Sequence, residues 1–339
     1  MVSALTYRPG KGGLHLAQRI DEILERLSAY HFGHINRLAV FQSILAAGKT
    51  EIRTSDWETL AKKLGSNVSI AVDAAEVALE SAARFLYEDL DVPGDKFLPY
   101  SSQMVLLSEF FHRCPKPNKT QKQILRKWFW VTSLSGWFAG ANTTHIRYAL
   151  EEMRGLAENE KKELNVMRLD DPARPFPLRF DARSARVRAL CIFMLKMKPL
   201  DLASGKPLKV EVTFREYGMS YIFSHISSPL VSNPANRILI NKKPGFSAKE
   251  QLTALADNLF SDESKTEKRD RILESHYIPQ EAYEALLRND ARGFIESRAR
   301  HIAQCERDFM ESLGITLPKD TYPEESDYVE YDADADTDF

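Results

Sequence analysis

The chain has 339 residues, 43% of them hydrophobic and 28% charged, with a formal net charge of −2; that is enough to bury a large core in two or three subdomains. No run approaches the roughly 18 consecutive apolar residues a membrane span needs, and residues 1–13 lack the apolar segment and cleavage site of a secretory signal. Three cysteines, Cys114, Cys191 and Cys305, lie far apart with no CxxC spacing, so they read as reduced thiols of a cytoplasmic protein, not as a disulfide frame or a zinc site.

Apolar residues at helical spacing predict a first helix over residues 14–30, with Leu14, Ile20, Ile23, Leu24 and Leu27 on one stripe. A second apolar stretch follows at 38–47. Ser55 and Glu58 match a capping box and predict a helix over 56–64. Alanine-rich residues 70–90 and residues 103–112 predict two more helices, the latter ending at the prolines of 115–117. The stretch 119–138 places Lys119, Lys122, Arg126 and Lys127 beside Trp128, Phe129, Trp130 and Trp137. Such a basic, aromatic helix can contact a phosphate backbone; equally, the tryptophans can be core and the lysines a solvated face. A further helix is expected over 143–159.

Three prolines in residues 170–180 end the helical block and mark a domain boundary. Residues 181–198 read as a helix with Arg183, Arg186 and Arg188 near its start. The character then changes. A turn at Ser204–Gly205–Lys206–Pro207, an alternating run at 209–214 and an apolar pair at Leu239 and Ile240 predict two or three short strands within 199–240. Helices resume at 247–259, with Ser247 and Glu250 as a capping box, and then at 271–275, 280–289 and 292–313. Residues 318–339 hold nine acids against Lys319 alone, a local charge of −8 that leaves residues 1–317 at +6. This acidic tail, expected to be disordered, could compete with nucleic acid for a basic groove or dock on a second subunit; a tail that only aids solubility is the plainer reading.

One arrangement carries chemistry. A histidine closing a strand, followed by asparagines and a helix, is what a ββα-metal nuclease site uses. The imidazole deprotonates the attacking water, an asparagine holds the ring, and a divalent ion stabilises the leaving oxygen. Asp201 in its turn, His225 after an apolar run, and then Asn233, Asn236 and Asn241 stand in that order. A histidine between Phe223 and Ile226 can also be a packed structural residue. No P-loop, dinucleotide fingerprint or serine-hydrolase elbow is present.

Several phrases together resemble the C-terminal part of the GmrSD-type restriction proteins, whose full-length members join a ParB-like nucleotide-hydrolysing domain to an HNH nuclease. They are FLPYSSQ (97–103), RKWFWVTSLS (126–135), RSARVRAL (183–190), PLDLASG (199–205), NRILI (236–240), SHYIP (275–279) and FIESR (294–298). The resemblance runs in consistent order over residues 15–313. It implies a helical domain, an HNH-like module and closing helices, with a role in restricting foreign DNA. No ParB-like motif is present, so a separate NTPase chain is an implied partner. The chain departs from the family pattern beside the histidine. Ser224 stands where the family has a metal-ligating His, Asp or Glu, and a hydroxyl is a poor substitute at a divalent cation. The loop between Asn236 and the Asn241–Lys242–Lys243–Pro244 phrase is short.

The expectation is therefore a mainly α protein, α+β locally. A helical domain (1–168) precedes a small ββα-metal module, altered at a metal ligand, with flanking helices (181–313), and then the tail. His225 and Asn236 are the catalytic candidates. Asn241 and Asp201 are candidate ligands for Mg²⁺ or Mn²⁺ if the site is active, with no cofactor otherwise. Lys119, Lys122, Arg126, Lys127, Arg183, Arg186 and Arg188 are candidate DNA contacts. The competing expectation is a non-catalytic DNA- or protein-binding assembly subunit.

Overall fold

The computed structural model describes residues 15–48, 68–165, 174–210, 223–227, 230, 232–240, 247–256 and 263–315. The expected helix at 56–64, most of the run at 209–214, Asn241 and the acidic tail lie outside them. The protein is mainly α with a small two-stranded sheet, as the hydrophobic patterning predicts. No helix of the described residues is long and apolar enough to cross a membrane. The chain divides into two compact units, Met1–Asp171 and Pro172–Phe339.

Every regular element among the first unit's described residues is a helix. α1 (Leu16–Leu27) buries Leu16, Ile20, Ile23 and Leu27, a single stripe at three- and four-residue spacing. α2 (Arg37–Ala47) is capped by Asn36, whose side chain accepts from the Leu38 amide at 2.8 Å. α3 (Val68–Arg84) runs into a wider turn at Phe85–Asp89. α4 (Ser101–Arg113) is the central helix, packing against α2, α3 and a later helix, α6 (Thr143–Ala157). Its position forces polar residues inside. Gln103 is fully buried, and its Nε2 donates to Thr132 Oγ1 at 3.1 Å and Ser133 Oγ at 2.8 Å. Glu109 takes both Arg113 and Arg154 on Oε1, at 2.8 and 2.5 Å. Between α4 and α6 stands α5 (Lys119–Ser135), which starts on an Asn118–Gln121 capping box and stops at Gly136, whose φ of 71° is the left-handed conformation that glycine tolerates.

The second unit opens with α7 (Ala185–Leu195). The sequence pattern starts this helix at 181, but Asp181 Oδ1 accepts from the Arg183 amide at 2.9 Å, and that local turn delays the first helical residue. β1 (Phe223–His225) and β2 (Arg237–Leu239) pair antiparallel, with Phe223 opposite Leu239, Ser224 opposite Ile238 and His225 opposite Arg237. A one-turn helix at Pro234–Asn236 leads into β2. α8 (Ala248–Thr253) begins on the expected Ser247–Glu250 box, and α9 (Glu263–Ser275) starts eight residues earlier than its apolar stripe suggests. α10 (Gln280–Leu287) and α11 (Ala291–Ser312) pack on each other, and α11 also lies against the Pro234–Asn236 turn.

Candidate functional site

Exposure rises along β1 toward its end: Phe223 is buried, Ser224 intermediate and His225 exposed. Ile226 turns back into the core. The imidazole therefore stands at the outer end of β1 while both apolar neighbours anchor the backbone beside it. The packed, structural alternative for His225 is not what the fold shows.

Asn236 is wholly buried, and its side chain acts on the chain just after the histidine. Its Oδ1 accepts from the Ile226 and Ser227 amides at 3.2 and 3.0 Å, and its Nδ2 donates to the Ser227 and Leu230 carbonyls at 2.6 and 3.1 Å. Those bonds commit the amide to main chain. These bonds give Asn236 a loop-holding role: it fixes the backbone that follows His225.

Beneath the hairpin lies a buried arginine that the sequence did not single out for the site. Arg298 of α11 is fully buried. It donates through Nη1 to the Ala235 and Arg237 carbonyls at 2.5 and 2.8 Å, and through Nε and Nη2 to the His276 carbonyl at 3.2 and 2.8 Å. Burial alone pulls its pKa down to about 9, so the guanidinium remains a cation at neutral pH. His276, itself buried, continues the chain: its Nε2 lies 2.7 Å from the Leu200 carbonyl, while the Leu200 amide donates to Ser275 Oγ at 3.1 Å. Burial depresses the His276 pKa to about 4; the Leu200 bond opposes that shift and the Arg298 charge adds to it. A single buried network thereby ties the Leu200–Asp201 turn to the hairpin of His225. Only the SHYIP and FIESR phrases hinted at it.

Asp201 heads a tight turn in which its Oδ1 accepts from both the amide and the hydroxyl of Ser204, each at 2.7 Å. That oxygen serves the turn instead of an open site. Ser224 Oγ is buried with no hydrogen-bond partner among the described residues. No group of three or more His, Cys, Asp or Glu that could hold a metal ion occurs among the described residues, and Asn241 lies outside them. The described donors do not compose a cage for a divalent ion.

The basic candidates separate sharply. Arg186 is buried and forms a two-pronged pair with Glu306 of α11, at 2.9 and 2.5 Å; it holds α7 to α11 and is not a surface contact for DNA. Arg188 donates to the Ala182 carbonyl at 2.9 Å. Arg183 is exposed and pairs with Asp181. In the other unit, Lys122 and Arg126 both reach Asp89, at 2.9 and 3.0 Å, while Lys119 is exposed and Lys127 half-buried. Trp128 and Trp130 are core, so the aromatic side of this helix faces inward.

No family model matches the chain, and no solved structure matches it significantly. An uncharacterized protein of Methanocaldococcus jannaschii is 22% identical over 214 residues, covering 58% of this chain and 36% of that relative. The chain thus matches just over a third of that relative's length.

Proposed function

We propose that this chain is an HNH-type, DNA-engaging effector of a restriction or phage-defence system, in which His225 is the general base. The observation that supports this reading most is the presentation of His225: an exposed imidazole at the end of a strand, on backbone clamped by Asn236 and braced by Arg298, with a helix following the second strand. An exposed ring on firmly held backbone is what a base needs to meet a water beside a phosphate. The phrase-by-phrase resemblance to the GmrSD-type proteins supplies the substrate class, DNA, and the partner, a separate ParB-like NTPase chain. Cleavage would draw on Mg²⁺ or Mn²⁺, with Asn241 and Asp201 as its proposed ligands, and the cytoplasm is the compartment where such a protein meets invading DNA. Asp201 Oδ1 is engaged by Ser204, so Asp201 would have to offer an ion its other carboxylate oxygen.

A second reading has its own support. Ser224 occupies the position of a ligand without the chemistry of one, and the described donors form no cage. On that reading the same scaffold binds DNA or its partner without cutting. One experiment separates the two: incubation with plasmid and phage DNA and Mn²⁺ or Mg²⁺, alongside His225→Ala. Metal-dependent cutting that the substitution reduces by at least 100-fold, a general-base effect of roughly 10²–10⁴, supports the nuclease. Salt-sensitive DNA binding that is identical in both proteins, with no cutting, supports the binding subunit.

A further inference from the structure

Beside the Asp201–Gly205 turn the second unit contains a cavity of about 580 Å³, bounded by the turn, α8 and α9. Its size falls within the roughly 300–1,000 Å³ of small-ligand sites. Three features of the lining have different chemistry. Leu202, Leu255 and Ile272 form an apolar wall; Lys265, Lys268 and Arg269 supply three cations from successive turns of α9; and Gln251 of α8 supplies an amide. Lys268 donates one proton to the Ala203 carbonyl at 3.2 Å, and Arg269 pairs with its neighbour Asp270 at 2.7 Å. Lys265 is exposed and has no ion-pair partner among the described residues. Glu250, the acid of the lining, is engaged as the cap of α8, accepting from the Ser247 amide at 2.6 Å.

We propose that this cavity binds a nucleotide, with the ring against the apolar wall and the phosphate at Lys265 and Lys268. The amide decides between ligand classes. Gln251 Nε2 is buried and has no hydrogen-bond partner among the described residues, an unfavourable state that an acceptor on a ligand would relieve. A fatty acyl anion would satisfy the wall and the lysines but brings no acceptor on its body. A nucleobase brings ring nitrogens and carbonyl oxygens, one of which would meet the Gln251 amide once its side chain turns into the cavity. A free nucleotide and a nucleotide within a single strand share this chemistry. The site does not use His225, so its test is independent of cleavage.

The test is calorimetric titration of the full chain with deoxynucleoside monophosphates, with inorganic phosphate and with a short single-stranded oligonucleotide. Wild type, Lys265→Gln/Lys268→Gln and Gln251→Leu are compared, each checked for an unchanged unfolding midpoint. The expected result is nucleotide affinity at least tenfold above that of phosphate. The lysine pair should weaken nucleotide and phosphate alike, whereas Gln251→Leu should weaken the nucleotide more than fivefold and leave phosphate within twofold. Binding of monophosphates as tight as the oligonucleotide identifies a free nucleotide as the ligand, and binding of the oligonucleotide alone identifies a base within a strand. Monophosphate and oligonucleotide binding no tighter than phosphate, or affinities unmoved by both variants, would overturn the proposal. Should Gln251→Leu prove unstable, Gln251→Glu, which exchanges the donor for an acceptor, must weaken nucleotide binding by the same margin.

Discussion

Arg298 is unusual among the buried residues because its charge meets no carboxylate in the hydrogen bonds that hold it; carbonyls from two separate loops receive it instead. A cation satisfied by main chain fixes where those loops run, and removing it leaves buried carbonyls unpaired. Arg298→Met should therefore destabilise the protein by about 3 kcal/mol or more, at roughly 1–3 kcal/mol for each of the three carbonyls left unpaired, read as a shift in the urea unfolding midpoint. A loss below about 1 kcal/mol would show that the carbonyls find other partners. His276 offers a second check through pH. Its pKa is about 4 in the folded protein against about 6.5 when unfolded. Above pH 6.5 both states are neutral and the residue adds no pH dependence. As pH falls below 6.5, the unfolded chain gains a proton that the folded one refuses until about pH 4. Stability should then drop by roughly 1.4 kcal/mol per pH unit across that window. His276→Gln keeps a donor for Leu200 and removes the titration, so the difference between the two proteins should be constant above about pH 7 and shift steadily toward the variant between pH 6.5 and 5. Parallel stability profiles would sink the assignment.

At the scale of elements, α5 shows how one helix serves two surfaces. Leu125, Trp128 and Phe129 are fully buried on its inner side, and Gln121 reaches from its first turn to the Leu156 carbonyl at 3.0 Å, holding α5 to the end of α6. Its outer side carries cations, but Asp89 at the end of the turn after α3 draws Lys122 and Arg126 together. Surface pairs of this kind add at most about 1 kcal/mol to stability, so their larger effect is on the field that a phosphate backbone would meet. If α5 is a DNA contact, Asp89→Asn should tighten non-specific DNA binding about three- to tenfold at low salt and steepen the salt dependence, with little change in folding. An unchanged affinity, measured by fluorescence anisotropy, would remove α5 from the interface. The hairpin of β1 and β2 is the opposite kind of element, too short to be stable alone. It borrows its rigidity from Asn236 within and Arg298 below, which is why an exposed histidine can sit on it in a fixed position.

For the whole molecule the controlling property is the division of charge. A body of +6 and a terminal segment of −8 attract each other at low ionic strength, and the attraction fades over a Debye length of roughly 10 Å at 0.1 M salt. Deleting residues 318–339 should then tighten DNA binding several-fold at 50 mM salt and by much less at 300 mM. Equal affinities for the two lengths at low salt would show that the segment does not compete for the DNA surface. Because the chain forms two compact units, this comparison is best made with each unit's unfolding followed separately, so that lost binding is not confused with lost folding.

Most of the described helices were legible in the sequence because their causes are local: a three- and four-residue apolar period and the Ser247–Glu250 box each lie within a few residues of the element they start, although the Asn36 cap and the Asn118–Gln121 box were recognised only in the structure. The short strands and the order of turn, histidine, asparagine and helix could be read for the same reason, and so could the charge asymmetry. What only the tertiary structure decided was which polar side chains go inside and what they meet. Gln103 finds Ser133, Arg186 finds Glu306, and Arg298 finds Ala235 across long stretches of chain, so Arg186 is an interior ion pair and Asn236 also clamps the histidine's loop. Local pattern sets conformation through short-range sterics and hydrogen bonding, whereas burial is settled by the joint packing of distant segments. An arginine reads the same in sequence whether it will face water or a carboxylate in the core.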